Sequence, residues 1–130
     1  MFAELVDFAS SGAGSTMAPR ELVTTLGEVF SIWDEMVTSA GLTKIKNIGD
    51  SYMAVNGAPE AQPDHAESTL LCAVKMVAVV QAYARKTGKR LVARVGINSG
   101  KCVAGGALCC SNGLIGAWLS ASSWHHFNVQ

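Results

Sequence analysis

Residues 44–55 read KIKNIGDSYMAV, and this stretch has the clearest local pattern in the chain. A run in which lysine alternates with isoleucine ends at Gly49–Asp50, and a second, largely apolar run follows at once. Two short β-prone runs separated by two turn-forming residues are typical of a β-hairpin. We therefore predict two antiparallel strands, TKIKNI (43–48) and SYMAV (51–55).

The flanking segments predict two more strands. Residues 2–8, FAELVDF, alternate so that Phe2, Glu4 and Val6 share one face, an arrangement that places a carboxylate among apolar neighbours. Such a carboxylate needs a partner or a position near a sheet edge. Residues 91–98, LVARVGIN, have the same character and predict the last strand of this part of the chain.

Two helices are predicted between these strands. Apolar residues at helical spacing follow Pro19 and end at Gly41, a residue suited to a left-handed cap. A second helix is predicted to begin at a capping-box-like Asp64–Glu67 pair and to end at Gly88. Its predicted apolar face comprises Ala66, Leu70, Ala73, Val74, Val77 and Tyr83 or Ala84. The order strand, helix, hairpin, helix, strand predicts an α+β sandwich, a mainly antiparallel sheet with helices packed on one face.

Composition limits the classes of function. A chain of 130 residues, 49% hydrophobic and with a formal net charge of zero, is typical of about one globular domain. The neutral balance gives no electrostatic reason to expect nucleic acid or an anionic membrane surface as a partner. The longest apolar stretch, 70–80, is interrupted by Lys75 and is shorter than a membrane span, and no signal peptide is recognisable.

The cysteines predict a reduced setting. Cys72, Cys102, Cys109 and Cys110 form no CxxC pair and no disulfide framework, so we expect a cytoplasmic location. The types of residue at Cys109, Cys110, His125 and His126 could form a metal cluster, but their spacing fits no zinc pattern.

Glu4 and Asp50 are the candidate metal ligands. If the first strand lies beside the hairpin, their carboxylates converge near the Gly-rich loop 10–16, which precedes a helix N-terminus suited to phosphate. Two carboxylates beside backbone amides suit a magnesium–phosphate site, because Mg²⁺ prefers hard oxygen ligands and shares substrate phosphates. The alternative is that Gly49–Asp50 is simply good turn chemistry.

Lys44 and Lys46 are the candidate ligand-binding cations. Strict alternation around Ile45 predicts that both lysines share one face of their strand. Either this face is solvated or one lysine points inward and donates a hydrogen bond to a ligand. The same two alternatives apply to Arg94.

Four segments together resemble the catalytic domain of class III nucleotide cyclases, the adenylyl and guanylyl cyclases. They are FAELVDF, APRELVTTLGEVFSIWDEM, KIKNIGDSYMAVNGAPEAQPDHAE and VARVGINSGKCVAGG, which cover residues 2–106 in order. The resemblance implies a ferredoxin-like fold and a head-to-tail homodimer, or a heterodimer with another cyclase domain, with active sites shared across the interface. It also implies two Mg²⁺ or Mn²⁺ ions and conversion of ATP to cyclic AMP and pyrophosphate by two-metal in-line displacement.

The resemblance assigns roles to individual positions. Asp50 matches the second metal-binding aspartate, and Glu4 stands at the first. Lys46 occupies the base-reading position, where lysine favours adenine because it donates a hydrogen bond. The segment Phe8-Ala9-Ser10 matches the turn that contacts the phosphates.

Three departures from the family pattern shape the prediction. Glu4 replaces an aspartate and Asp7 stands where the family usually has glycine. The uncharged segment 102–130 supplies neither the family's second base-reading residue nor the asparagine and arginine that stabilise the transition state. No catalytic residue is therefore recognisable. We expect a partial catalytic domain over 1–106, incomplete at its C-terminus, and a poorly ordered uncharged tail over 107–130. We expect the chain alone to turn over ATP weakly or not at all. The alternatives are a non-catalytic dimerisation or regulatory domain, a guanylyl cyclase, and a poorly folding fragment; a longer parent protein could be membrane-anchored.

Overall fold

The structure, a computed structural model, describes residues 1–6 and 18–101. In that part of the chain four strands and two helices follow one another. They are β1 (Phe2–Val6), α1 (Pro19–Ser39), β2 (Thr43–Ile48), β3 (Ser51–Val55), α2 (His65–Thr87) and β4 (Val92–Gly96).

The four strands form one antiparallel sheet in the order β2-β3-β1-β4. The predicted hairpin is confirmed, with Gly49 in the left-handed region at φ +61° as its two-residue connection requires. β1 lies beside the hairpin, so the strand that carries Glu4 is a central strand and not an edge strand. The predicted α+β architecture with an antiparallel sheet is thereby confirmed.

One face of the sheet packs against both helices. Ala3 and Leu5 of β1 alternate with exposed or half-buried neighbours and are at most 2% exposed, as strand periodicity requires. Together with the helices the inward-facing residues form a single core. Both helices therefore cover the same side of the sheet, and we call the opposite side the distal face.

Of the predicted elements, α1 agrees best with the structure. Its apolar stripe buries Val29, Trp33 and Val37, and the helix ends in a Schellman motif. The Leu42 amide donates to the Val37 carbonyl at 3.0 Å and the Gly41 amide donates to the Thr38 carbonyl at 3.1 Å, with Gly41 at φ +73°.

The predicted apolar face of α2 is only half right. Ala73 and Val77 are buried as expected, but Leu70 and Val74 are each 48% exposed. The core instead takes residues on a rotated face, namely Thr69, Cys72, Met76 and Val80. α2 is apolar around much of its circumference, so periodicity alone could not show which side meets the sheet.

The predicted capping box of α2 is wrong. Asp64 occupies the N-cap position, but its backbone (φ −95°, ψ 18°) lacks the extended conformation of a capping residue and its side chain makes no cap hydrogen bond. Its carboxylate accepts a hydrogen bond from the Ser68 hydroxyl at 3.1 Å instead.

Of the helices described, α2 alone is long and apolar enough to cross a membrane, with a mean hydropathy of 1.2. This is weak evidence for a span, because the core helix of a packed domain meets the same criteria.

Candidate functional site

Three of the charged residues that the sequence singled out, Glu4, Lys46 and Arg94, lie on the distal face of the sheet. Because side chains alternate along a strand, the residues between those that face the helices belong to this face, including Met53, which is itself buried. They are Phe2, Glu4 and Val6 of β1, Thr43, Lys46 and Ile48 of β2, Ser51, Met53 and Val55 of β3, and Val92, Arg94 and Gly96 of β4.

Glu4 and Asp50 lie next to each other across two strands. The Leu5 amide donates a hydrogen bond to the Asp50 carbonyl at 3.2 Å, and Glu4 is the register partner of Ser51. The hairpin turn thus places Asp50 beside the strand that carries Glu4, as the sequence-based hypothesis required. Their role as metal ligands stays a prediction. Within residues 1–6 and 18–101 no group of three or more His, Cys, Asp or Glu could hold a metal ion.

Arg94 is the other register partner of Glu4. It lies directly opposite Glu4 on β4, and both residues are exposed. A cation therefore stands on the distal face beside the carboxylate, in a position that sequence alternation alone could not relate to Glu4.

The two lysines do not share a face, so that prediction is wrong. Lys46 pairs with Met53, whereas Lys44 pairs with Ala54, and the register shifts between them. The shift is a β-bulge at Ile45: one extra residue in β2 reverses the alternation beyond it. Lys46 is consequently on the distal face and Lys44 is on the helix side.

Lys44 is held on the helix side by Asp34 of α1. Its Nζ lies 2.7 Å from Asp34 Oδ1 and 2.8 Å from Oδ2, and 5.1 Å from the centroid of the Tyr52 ring. The Tyr52 hydroxyl donates to Asp34 Oδ1 at 2.7 Å. We call these three residues, Asp34, Lys44 and Tyr52, the Asp34 cluster. Sequence reasoning missed Asp34, whose only signal was a carboxylate directly after Trp33 in the apolar stripe of α1.

Because of the Asp34 cluster, the stability of the folded protein is expected to fall at alkaline pH. Burial, and then the hydrogen bond and charge of Asp34, raise the pKa of Tyr52 well above its usual value of about 10. The folded protein resists losing this proton while the unfolded chain loses it near pH 10. Stability is therefore fully present below pH 10 and falls as the pH rises further. We expect urea unfolding at pH 9 and pH 11 to show a smaller loss of stability for Tyr52→Phe than for the wild type; equal losses would contradict this.

Several predicted residues lie outside the described residues. These are the phosphate-contacting segment Phe8-Ala9-Ser10, Asp7, the loop 10–16 and the tail 107–130. The division of the chain at residue 106 likewise stays a prediction.

The sequence profile of the adenylate and guanylate cyclase catalytic domain matches residues 1–108. The chain belongs to this family. The cyclase domain is 39% identical over 105 residues to an adenylate cyclase of Mycobacterium tuberculosis, covering 81% of this chain and 23% of that protein. It is equally 39% identical over 105 residues to soluble guanylate cyclase 89Db of Drosophila melanogaster, covering 81% of this chain and 15% of that protein.

A solved structure supports the same fold. The guanylate cyclase domain of RhGC from Catenaria anguillulae, determined in complex with GTP, superposes with a TM-score of 0.77 at 26% identity. The match covers 93% of this chain and 64% of that one. The cyclase domain thus spans about a quarter or less of these two curated relatives, and their names include both adenylate and guanylate cyclases.

Proposed function

We propose that this cyclase domain binds ATP on its distal face and, in a dimer with a second cyclase domain, converts it to cyclic AMP and pyrophosphate. The observation that carries the proposal is that Glu4 on β1, Asp50 in the β2–β3 turn and Lys46 on β2 belong to one sheet in which only β3 separates β1 from β2. Lys46 lies two strands away from Glu4, and it is level with Phe2, two residues from Glu4 along β1. This offset corresponds to roughly 12 Å between backbones. A nucleotide can bridge such a span with its base at Lys46 and its phosphates at the carboxylates.

The carboxylates fit a divalent cation. Glu4 on β1 and Asp50 in the adjacent β2–β3 turn offer hard oxygen donors, and Mg²⁺ is commonly held by one or two carboxylates together with substrate phosphates. Bound there, Mg²⁺ or Mn²⁺ would offset the negative charge that develops on the triphosphate. Glu4 is longer than aspartate, and the flexible geometry of a cation such as Mn²⁺ would tolerate that length better than the strict octahedron of Mg²⁺.

The proposed reaction needs no covalent intermediate on the protein. The ribose 3′-hydroxyl gives up its proton to water and its oxygen forms a bond to the α-phosphorus. The bond from that phosphorus to the oxygen that bridges to the β-phosphorus breaks, and pyrophosphate leaves with the electron pair. This chain's contribution is to bind the triphosphate at Glu4 and Asp50 and to orient the base at Lys46. The second domain of the dimer is proposed to supply the remaining contacts, since no described residue is assigned to the proton transfer.

The test is a cyclase assay with Mn²⁺ and either ATP or GTP. The chain is assayed alone and mixed with an intact cyclase domain whose own metal-binding aspartates are replaced, so that any product requires carboxylates from this chain. We expect weak or undetectable turnover by the chain alone and formation of cyclic AMP in the mixture. No product in the mixture and no Mn²⁺-dependent ATP binding by the chain would refute the proposal in favour of a non-catalytic domain. Cyclic GMP as the main product would refute the choice of ATP.

Lys46 is proposed to set the choice of base. Lys46→Glu replaces a donor by an acceptor, which suits the N1–H and amino group of guanine and leaves adenine N1 without a partner. We expect the affinity for Mn²⁺·ATP to fall about tenfold, or about 1.4 kcal/mol, while that for GTP falls less or rises.

Titration calorimetry with both nucleotides measures this change, and Lys75→Glu is the matched control. Lys75 is exposed on α2, away from the distal face, so the same change of charge should leave the ratio of the two affinities unchanged. If Lys46→Glu lost the same affinity for ATP as for GTP, Lys46 would interact with the phosphates and not with the base.

A further inference from the structure

Arg94 is a charged residue of the distal face that the proposed function does not use. It is the register partner of Glu4 on β4, on the side of Glu4 that is away from the hairpin. Side chains at directly opposed positions of antiparallel strands share one face of the sheet and have Cβ atoms about 5 Å apart. The long side chain of Arg94 can therefore reach a ligand that Glu4 holds.

The charges of Glu4 and Arg94 are not neutralised within the sheet. Among residues 1–6 and 18–101, no hydrogen bond or ion pair involves the side chain of either residue, and both residues are exposed. An exposed ion pair between them would contribute little to stability even if it formed, because water screens it. The guanidinium group of Arg94 is therefore available to an anion.

The charged residues of the proposed site follow one another across the sheet. In the strand order β2-β3-β1-β4 they are Lys46 on β2, Asp50 in the β2–β3 turn, Glu4 on β1 and Arg94 on β4. A nucleotide with its base at Lys46 and its phosphates at the two carboxylates extends its triphosphate towards β4. The β- and γ-phosphates, which leave as pyrophosphate, are then the ones that lie nearest Arg94.

We infer that Arg94 binds the β- and γ-phosphates and so makes the site select the complex of metal and triphosphate over the free metal ion. This inference rests on the proposed function, because it concerns how the same two carboxylates are loaded. A guanidinium group presents a planar fork of donors that matches two phosphate oxygens at once. The same positive charge beside Glu4 repels a divalent cation that arrives without phosphates.

The two effects have opposite signs, which separates a role in binding from general damage. Mn²⁺·ATP carries a net negative charge, so removing the charge of Arg94 should weaken its binding. Free Mn²⁺ is positive, so the same change should strengthen its binding to Glu4 and Asp50. A loss of folded structure or of strand register would instead weaken the binding of both.

The central variant is Arg94→Gln, which keeps a polar side chain and removes its charge. We expect calorimetry to show Mn²⁺·ATP bound about tenfold more weakly. The affinity for AMP, measured by competition with ATP, should change less than about twofold, because AMP lacks the β- and γ-phosphates. Without nucleotide, the electron paramagnetic resonance signal of unbound Mn²⁺ should show the metal bound about threefold more tightly.

Arg94→Lys and Arg85→Gln are the controls. Lysine keeps the charge but not the planar fork, so Arg94→Lys should bind free Mn²⁺ as weakly as the wild type and lose only part of the affinity for Mn²⁺·ATP. Arg85 is exposed on α2, on the other side of the sheet. Arg85→Gln should therefore leave the affinities for Mn²⁺·ATP, AMP and free Mn²⁺ unchanged.

Each part of the inference can fail separately from the proposed function. An unchanged ratio of ATP to AMP affinity in Arg94→Gln would overturn the contact with the terminal phosphates. If Arg94→Gln bound free Mn²⁺ no more tightly than the wild type does, selection against the free metal ion would be wrong. Both results leave the proposed function intact when the wild type binds ATP in the presence of Mn²⁺. Absence of that binding in the wild type would refute the proposed function, and with it the role of Arg94.

Discussion

Asp50→Asn is expected to weaken Mn²⁺-dependent ATP binding about 100-fold, or about 2.7 kcal/mol, measured by titration calorimetry. Asparagine keeps the size and the turn-forming character of aspartate but offers one neutral carbonyl oxygen in place of a charged carboxylate. If Asp50 holds a divalent cation as proposed, losing its charge costs more than losing a neutral hydrogen bond, since charge-assisted contacts are about twice as strong.

The substitution separates binding from folding. The backbone hydrogen bond from the Leu5 amide to the carbonyl of residue 50 does not depend on the side chain, so β1 should stay beside the hairpin. We expect the free energy of unfolding to change by less than about 0.5 kcal/mol. Glu60→Gln, an exposed carboxylate in the loop after β3, is the control for loss of one negative charge. If Asp50→Asn bound ATP with wild-type affinity, Asp50 would serve only the turn and would have no role in binding.

Trp33→Ala is expected to lower the free energy of unfolding by about 3–5 kcal/mol. The Trp33 side chain is 0% exposed and packs with its ring centroid 5.7 Å from that of Phe30 and 5.6 Å from that of Tyr52. Its truncation removes a large apolar area and leaves a cavity between α1 and the sheet. Domains of this size are stable by about 5–15 kcal/mol, so urea unfolding should show a variant that has lost much of its stability.

Trp33→Phe should cost clearly less than Trp33→Ala. Among the described residues the Trp33 Nε1–H has no hydrogen-bond partner, so the indole carries a buried polar group that phenylalanine lacks. Val23→Ala serves as the control on the same helix, because Val23 is 67% exposed and its truncation should change stability by about 0.5 kcal/mol at most. A loss in Trp33→Phe as large as that in Trp33→Ala would show that ring size, and not the unpaired N–H, governs this site.

The sequence predicted those features that depend on local patterns. The β2–β3 turn followed from Gly49–Asp50, and α1 followed from an apolar stripe bounded by Pro19 and Gly41. The adjacency of Glu4 and Asp50 was stated only as a condition, because alternation does not say which strands are neighbours. The strand order of the structure, in which β1 lies beside β3, shows that they are neighbours.

Two errors have a common physical cause. The face of α2 and the face of Lys44 were both inferred from ideal periodicity, yet each is set by a tertiary contact. α2 rotates so that Cys72 and Met76 meet the core, and β2 gains an extra residue where Asp34 engages Lys44. A β-bulge has no recognisable pattern in a single sequence. The carboxylate that contacts Lys44 beside this bulge, that of Asp34, belongs to α1 and is distant in sequence.

The central place of β1 has a consequence for how the chain folds. β1 comes first in the sequence, yet it pairs with β3 and also, through Phe2 and Gly96, with the last strand described. The hydrogen bonds of the β2–β3 hairpin and of both helices are local in sequence and can form early, whereas β1 can pair with β4 only once β4 has left the ribosome. Contacts this distant in sequence slow folding and prolong the time for which unpaired strand edges are exposed. Synthesis of this domain is therefore the stage at which its aggregation should compete most strongly with folding.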